Sequence, residues 1–162
     1  MKKSKLIYFL LNTHIAIYLG VCFLAQLLIV IPFLFVPEEN ATNDSLEMIE
    51  QTSGKAMVLF AAVILAPVFE TIIYQFSVIK IITWVIKNTV WSFSIAISAS
   101  AFLFALSHPF SIYYQINTFL VGLLYAIIFL ISQYRKDWPA FLVVLVLHAS
   151  WNLFACIMDE LI

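Results

Sequence analysis

Apolar residues run through this chain in long blocks, broken by short polar stretches. Leu6 to Val36 holds no Asp, Glu, Lys or Arg, far more than the roughly 18–20 residues that cross a bilayer. Removable signal peptides have apolar cores of about 7–15 residues and then a small-residue cleavage site; this block matches neither, so it is expected to be a helix that stays. Pro37-Glu38-Glu39-Asn40 ends it. In the polar loop that follows, Asn43-Asp44-Ser45 is placed to cap a short helix through Gln51, and Ser53-Gly54 to end it. A second span is expected from Ala56 to Ile79. From Val78 to Trp91, Lys80, Trp84, Lys87 and Trp91 recur at helical spacing, the pattern of a segment lying in the headgroup layer. Further spans are expected at Ser92–Ser107, Asn117–Ser132 and Trp138–Met158.

Composition identifies the solvent. The 162 residues are 64% hydrophobic, 16% aromatic and 10% charged, with a mean hydropathy of +1.06, against roughly 45–50% apolar and about 25% charged in soluble domains. A formal charge of −1 excludes a basic nucleic-acid binder. The expected fold is all-α: one integral membrane domain over 1–162, a polytopic bundle of about five transmembrane helices plus an interfacial helix. Residues 1–55 supply the first span and the acidic loop, and 56–158 the core. Cys22 and Cys156 fit as packing residues with no disulfide between them.

With five spans, Lys2, Lys3, Lys5, Lys80, Lys87, Arg135 and Lys136 fall on the amino-terminal side. Only Lys55 falls opposite, among Glu38, Glu39, Asp44, Glu47 and Glu50, with Asp159 and Glu160 on that same far side. The positive-inside rule therefore predicts a cytoplasmic amino terminus, an external acidic loop and an external carboxyl terminus.

A charged residue at mid-span costs about 2.5–3.5 kcal/mol on insertion scales and so needs a partner or a purpose. Glu70 is the only carboxylate inside any expected span. His108 and His148 also lie deep in apolar runs, and Asn152 shares a helical face with His148 at i, i+4. His108 precedes Pro109, which disfavours helix at His108 itself. Taken singly, an intramembrane His or Asn is more often a hydrogen bond between helices, and a buried Glu can be a protonated donor. Together, one acid and two imidazoles on three helices form an inventory for activating water or holding a metal. His14, beside Asn12 and Thr13 near the end of the first span, has no companion at helical spacing and is expected to be structural.

Ala-Pro-x-x-Glu ending at Glu70, Phe-x-x-x-His ending at His108 and His-x-x-x-Asn at 148–152 resemble, in order and membrane setting, the motifs of the CPBP family. That family comprises CAAX prenyl proteases and bacteriocin-processing proteins, often labelled Abi, and the resemblance covers about residues 56–158. It implies an intramembrane endopeptidase of a bacterial cell membrane in which Glu70 activates water. His108, His148 and Asn152 would stabilise the oxyanion, or hold a metal in the older metalloprotease description. The expected partners are the bilayer and a membrane-delivered peptide or protein. No obligatory metal is expected, although the donor set could reach zinc; the strong His-Glu-x-x-His signature does not occur.

The family's first motif reads Glu-Glu-x-x-x-Arg, whereas this chain has Glu70-Thr71 and then Gln75. Thr71 and Gln75 are i, i+4 neighbours able to hydrogen-bond where the family has an ion pair. Both charges being absent suits coordinated replacement, but it also opens an alternative: a non-catalytic relative serving bacteriocin self-immunity or membrane scaffolding. A proton-relay transporter fits less well, since five spans show no inverted repeat. At 1.5 Å per residue, Glu70 lies about 22 Å below Lys55 and His148 about 16 Å above Asp137, while His108 comes out about 25 Å above Trp91. His108 thus needs a strongly tilted third span, or a helix that begins deeper, to join the others; otherwise there is no joint site.

Overall fold

The computed structural model describes residues 5–37, 44–87 and 90–161, and every regular element among them is helical. Helix α1 spans Lys5–Asn12 and α2 spans Ile15–Val30, prolonged by a 3-10 turn at Ile31–Phe35. Helix α3 is Asp44–Ser53. Helix α4 is continuous over Lys55–Val85, α5 is Val90–Leu106, α6 is Ile112–Ser132 and α7 is Ala140–Leu161. The stretches Ile15–Phe35, Lys55–Val85, Ile112–Ser132 and Ala140–Met158 are long and apolar enough to cross a membrane, and α5 is a shorter apolar helix. The protein is an all-helical integral membrane bundle.

Besides α6, which begins at Ile112 behind a Ser111 cap instead of at Asn117, two boundaries differ from expectation. The first apolar block is broken at Thr13–His14 instead of forming one helix. His14 leaves the helical region (φ −58°, ψ 142°) and its Nδ1 accepts from the Ala16 amide at 3.3 Å, capping α2. The carbonyls freed by the break are taken by Arg135, which donates to Leu10 O and, at 2.7 Å, to Thr13 O. A distant cation therefore stabilises the interruption, which local polarity does not show.

The second difference is at 78–91. Residues 78–85 continue α4 in place of a separate interfacial helix, because no proline or glycine interrupts the run. The chain turns at Ile86–Lys87, where Lys87 has φ 51°, so Trp91 belongs to α5. Trp84 and Trp91 are both largely exposed and flank that turn, as residues at a headgroup layer would. The expected short helix in the polar loop is α3; its proposed cap Asn43 lies outside the described residues. Gly54 joins α3 to α4 at φ +81°, a backbone that only glycine adopts without strain.

The core is formed where α2, α4, α5, α6 and α7 meet, around Tyr18, Ile79, Ala96, Phe104, Tyr125, Phe129, Val143, Val144 and Leu147. Gly122 lets α6 lie against Ala101 of α5, the small-residue contact by which membrane helices pack closely. Phe23 of α2 packs on Trp151 and Phe154 of α7 at 5.5 and 5.6 Å. Outward positions on α4 such as Phe69, Ile72, Ile73 and Phe76 are exposed, which suits a helix solvated by lipid. Cys22 and Cys156 form no disulfide.

Candidate functional site

The site grows out of an irregularity in α4. The helix widens to π geometry at Ala61–Leu65 and again at Thr71–Val78, and Glu70 ends the α-helical turn between them. π turns recur at functional sites because they re-aim side chains. In the first wide turn the Ala66 amide donates to Ala61 O, five residues back. The next donor in that register would be the amide of Pro67 to Ala62 O, but proline has no N–H. The orphaned Ala62 carbonyl is filled from α7 instead, by Asn152 Nδ2 at 2.7 Å. A bare carbonyl at membrane depth is costly, so this bond fixes α7 against α4 beside Glu70.

Glu70 lies between the two imidazoles. Its Oε1 is 3.8 Å from His108 Nε2 and its Oε2 is 3.5 Å from His148 Nε2. Both separations exceed a direct hydrogen bond of about 2.7–3.2 Å, so the carboxylate is flanked without being sequestered. His108 joins the group because its ring folds back along α5, with Nδ1 2.7 Å from Phe104 O and 3.2 Å from Ser107 Oγ. That reach recovers about one helical turn, near 5 Å. The length of α4 supplies the rest: Lys80 Nζ donates to Gln133 Oε1 at 2.8 Å, levelling Lys80 with the α6–α7 loop. Counted from this level, Glu70 and His148 both stand about 15–16 Å up the bundle. The expected misalignment came from ending the second span at Ile79.

Phe104 holds the rings apart, 4.8 Å from His108 and 6.0 Å from His148, edge-on to both. Tyr125 packs on His148 at 5.0 Å and Tyr114 stacks on His108 at 6.0 Å. Glu70, both histidines and Asn152 all border one cavity of about 180 Å³, whose other walls include Ala62, Ala66, Thr118 and Trp151. The Glu70 side chain is 22% exposed, that of His108 14% and that of His148 5%.

Sequence reasoning passed over Tyr114, Thr118, Val121 and Tyr125, which all line the cavity. Their spacing of i, i+4, i+7 and i+11 marks one face of α6, and its hydroxyls were the available signal. The expected hydrogen bond between Thr71 and Gln75 does not form: both residues are fully buried, and Thr71 Oγ1 and the Gln75 carboxamide have no hydrogen-bond partner. The π turn over Thr71–Val78 changes the helical phase, so i, i+4 neighbours no longer align. Neither residue borders the cavity. His14 is a helix cap far from the site. Among the described residues, no three His, Cys, Asp or Glu side chains are arranged as metal ligands.

Residues 52–154, well over half of the chain, match the family model described as Rce1-like, type II CAAX prenyl endopeptidase. No curated protein and no solved structure matches the chain.

Proposed function

This chain belongs to the Rce1-like family of type II CAAX prenyl endopeptidases, a membrane endopeptidase kind, and from that premise we propose that it hydrolyses a peptide bond of a membrane-associated protein or peptide with Glu70 as general base. The observation that carries the proposal is the single intramembrane carboxylate set between two imidazoles in a cavity that reaches it.

The two rings take unlike parts. His108 Nδ1 faces carbonyl Phe104 O, which can only accept, so Nδ1 carries the proton and Nε2 presents a lone pair. A water about 2.8 Å from both His108 Nε2 and Glu70 Oε1 donates one proton to each, leaving its own lone pair for attack. His148 is the reverse case: its Nδ1 is buried with no partner, so its proton belongs on Nε2, facing Glu70 Oε2. There it donates to the oxyanion that forms at the scissile carbonyl, with an N–H of Asn152 as second donor. Glu70 takes the proton of the attacking water, the C–N bond breaks, and Glu70 returns that proton to the leaving amine. The products are a free carboxyl and a free amine, and no step requires a metal.

Purified protein in liposomes is expected to cleave a membrane peptide, and Glu70→Gln to lose roughly 10²–10⁴-fold in rate. Unchanged turnover in that variant would refute the proposal. The second reading, a non-catalytic self-immunity or scaffold protein, is favoured by the unpaired buried Thr71 and Gln75 in place of the family's charged pair. It predicts that Glu70→Gln leaves protection of the host cell intact.

A further inference from the structure

His148 has no hydrogen bond behind it. An imidazole at work is usually oriented by a partner at its other ring nitrogen, but His148 Nδ1 is buried without one. Packing therefore aims the ring at Glu70 Oε2, 3.5 Å from Nε2. Phe104 stands edge-on to it at 6.0 Å, and Tyr125 lies against it at 5.0 Å with the planes tilted by 46°. Whatever fixes Tyr125 fixes one wall of His148.

Tyr125 meets α2, which lies outside the family-matched residues 52–154. The end of α6 adjoins the start of α2, where Tyr18 Oη and Ser132 Oγ are 3.2 Å apart and Arg135 holds the Leu10 and Thr13 carbonyls. From the Tyr18–Ser132 level, Gln26 stands about 12 Å along α2 and Tyr125 about 10.5 Å back along α6. The register brings the two level, and the Gln26 carboxamide adjoins the Tyr125 hydroxyl. Both residues are 0% exposed, and Gln26 Nε2, Gln26 Oε1 and Tyr125 Oη form no hydrogen bond of ordinary geometry. Gln26 is the only carboxamide in α2. A polar group buried at mid-span without a partner is costly, and two that adjoin lose that cost by meeting. A carboxamide N–H donates and a phenol oxygen accepts, so a small side-chain shift closes the bond.

We propose that Gln26 pairs with Tyr125 across α2 and α6 and is a positioning residue for His148: the pair locks the Tyr125 ring, and the ring holds the imidazole that faces Glu70. Its effect on catalysis rests on the peptidase reading above; the pairing and the orientation of His148 do not.

Gln26→Met and Tyr125→Phe keep the side-chain bulk and remove the polar atoms. Each single variant orphans the other polar group and is expected to lower stability to denaturant in detergent. The double variant, with both groups gone, is expected to be no less stable than either single one. Strict additivity would overturn the pairing. Orientation is read by NMR of protein carrying nitrogen-labelled histidine, with the His148 signals assigned by their loss in His148→Gln. Both single variants are expected to shift the His148 ring resonances and to leave those of His14 in place. Unmoved His148 resonances would overturn the positioning role, whatever the stabilities show. In cleavage assays each single variant is expected to lower kcat about tenfold with KM unchanged, and an unchanged kcat would overturn the role as well. Should Gln26→Met fail to fold, Tyr125→Phe carries the resonance and rate tests by itself. Coupled stabilities and shifted resonances in a protein that cleaves nothing would sink the peptidase reading alone. Cleavage at the wild-type rate in both variants, with unmoved resonances, would sink this inference alone.

Discussion

Gly122→Ala tests whether packing between α5 and α6 sets the geometry of the site. A Cβ at Gly122 would stand 3.0 Å from Ala101 Cα, 3.0 Å from Phe104 Cδ1 and 3.3 Å from Ala101 Cβ. Carbon atoms pack best at about 3.5–4.0 Å, so the contact must open by roughly half an ångström. The Phe104 ring can swing, but Ala101 Cα is backbone and moves only with its helix. Overpacking of this kind costs about 1–3 kcal/mol, while replacing a helical glycine by alanine returns about 0.8–1 kcal/mol. The expected net loss is about 0–2 kcal/mol. Activity should fall further than stability suggests, because Phe104 separates the two imidazoles and its carbonyl holds His108. If a misplacement of about 1 Å costs near 10²-fold, half of that should cost near tenfold. Gly20→Ala is the control, since nothing lies within 4 Å of its Cβ position; it is expected to be neutral or stabilising by up to about 1 kcal/mol. The assays are denaturant unfolding in detergent and initial cleavage rates. If Gly122→Ala is as stable as Gly20→Ala and cleaves at the wild-type rate, the argument from contact geometry is wrong.

Asn152→Ala leaves the Ala62 carbonyl unpaired and is expected to cost about 0.6–1.7 kcal/mol. Pro67→Ala restores an amide N–H that can fill the same carbonyl, so the double variant should lose less than the sum; strict additivity in this cycle would show that the two do not share Ala62. Arg135→Ala removes two charge-assisted bonds, to the Leu10 and Thr13 carbonyls, and a guanidinium 4.5 Å from the Tyr18 ring, for an expected loss of about 3 kcal/mol or more. An unfolding shift worth under about 1 kcal/mol would remove Arg135 as the clamp on the α1–α2 break. Arg135 also holds the exposed Asp137 carboxyl below its usual range, with hydrogen bonds of 3.0 and 2.5 Å. A depressed carboxylate stabilises the fold above its unfolded pKa of about 3.9 and loses that contribution as pH falls towards its lower folded value. Stability should therefore decline in acid below about pH 4, modestly because of the exposure, and Asp137→Asn should flatten the decline.

Spans were legible from apolar run length because lipid imposes that length on any crossing helix. Helix stops inside apolar runs were not. A helix that is apolar on every side carries no phase by which polarity could mark its ends. The break at Thr13–His14 depends on Arg135, more than a hundred residues away in the chain. The Lys80, Trp84, Lys87 and Trp91 pattern fits one helix by spacing alone, yet the chain turns at Ile86–Lys87, so the third member stands in the turn and the fourth opens another helix. Periodicity shows which residues would share a face if the helix continued; it does not show that it continues.

The site was legible to the degree that its groups are expensive in lipid. A carboxylate and two imidazoles stand out at mid-span because each needs a reason, and the structure gathers them around one cavity. Asn152 stood out too, but its bond to Ala62 could not be foreseen. Pro67 orphans that carbonyl only if the helix has already slipped to the five-residue register, as it does over Ala61–Leu65. The same slip explains Thr71 and Gln75. In a regular helix they would meet one turn apart; across the π segment Thr71–Val78 they are buried separately, outside the cavity wall. The departure from the family's Glu-Glu-x-x-x-Arg pattern therefore falls in the packing behind the carboxylate, and the cavity wall keeps Glu70, His108, His148 and Asn152.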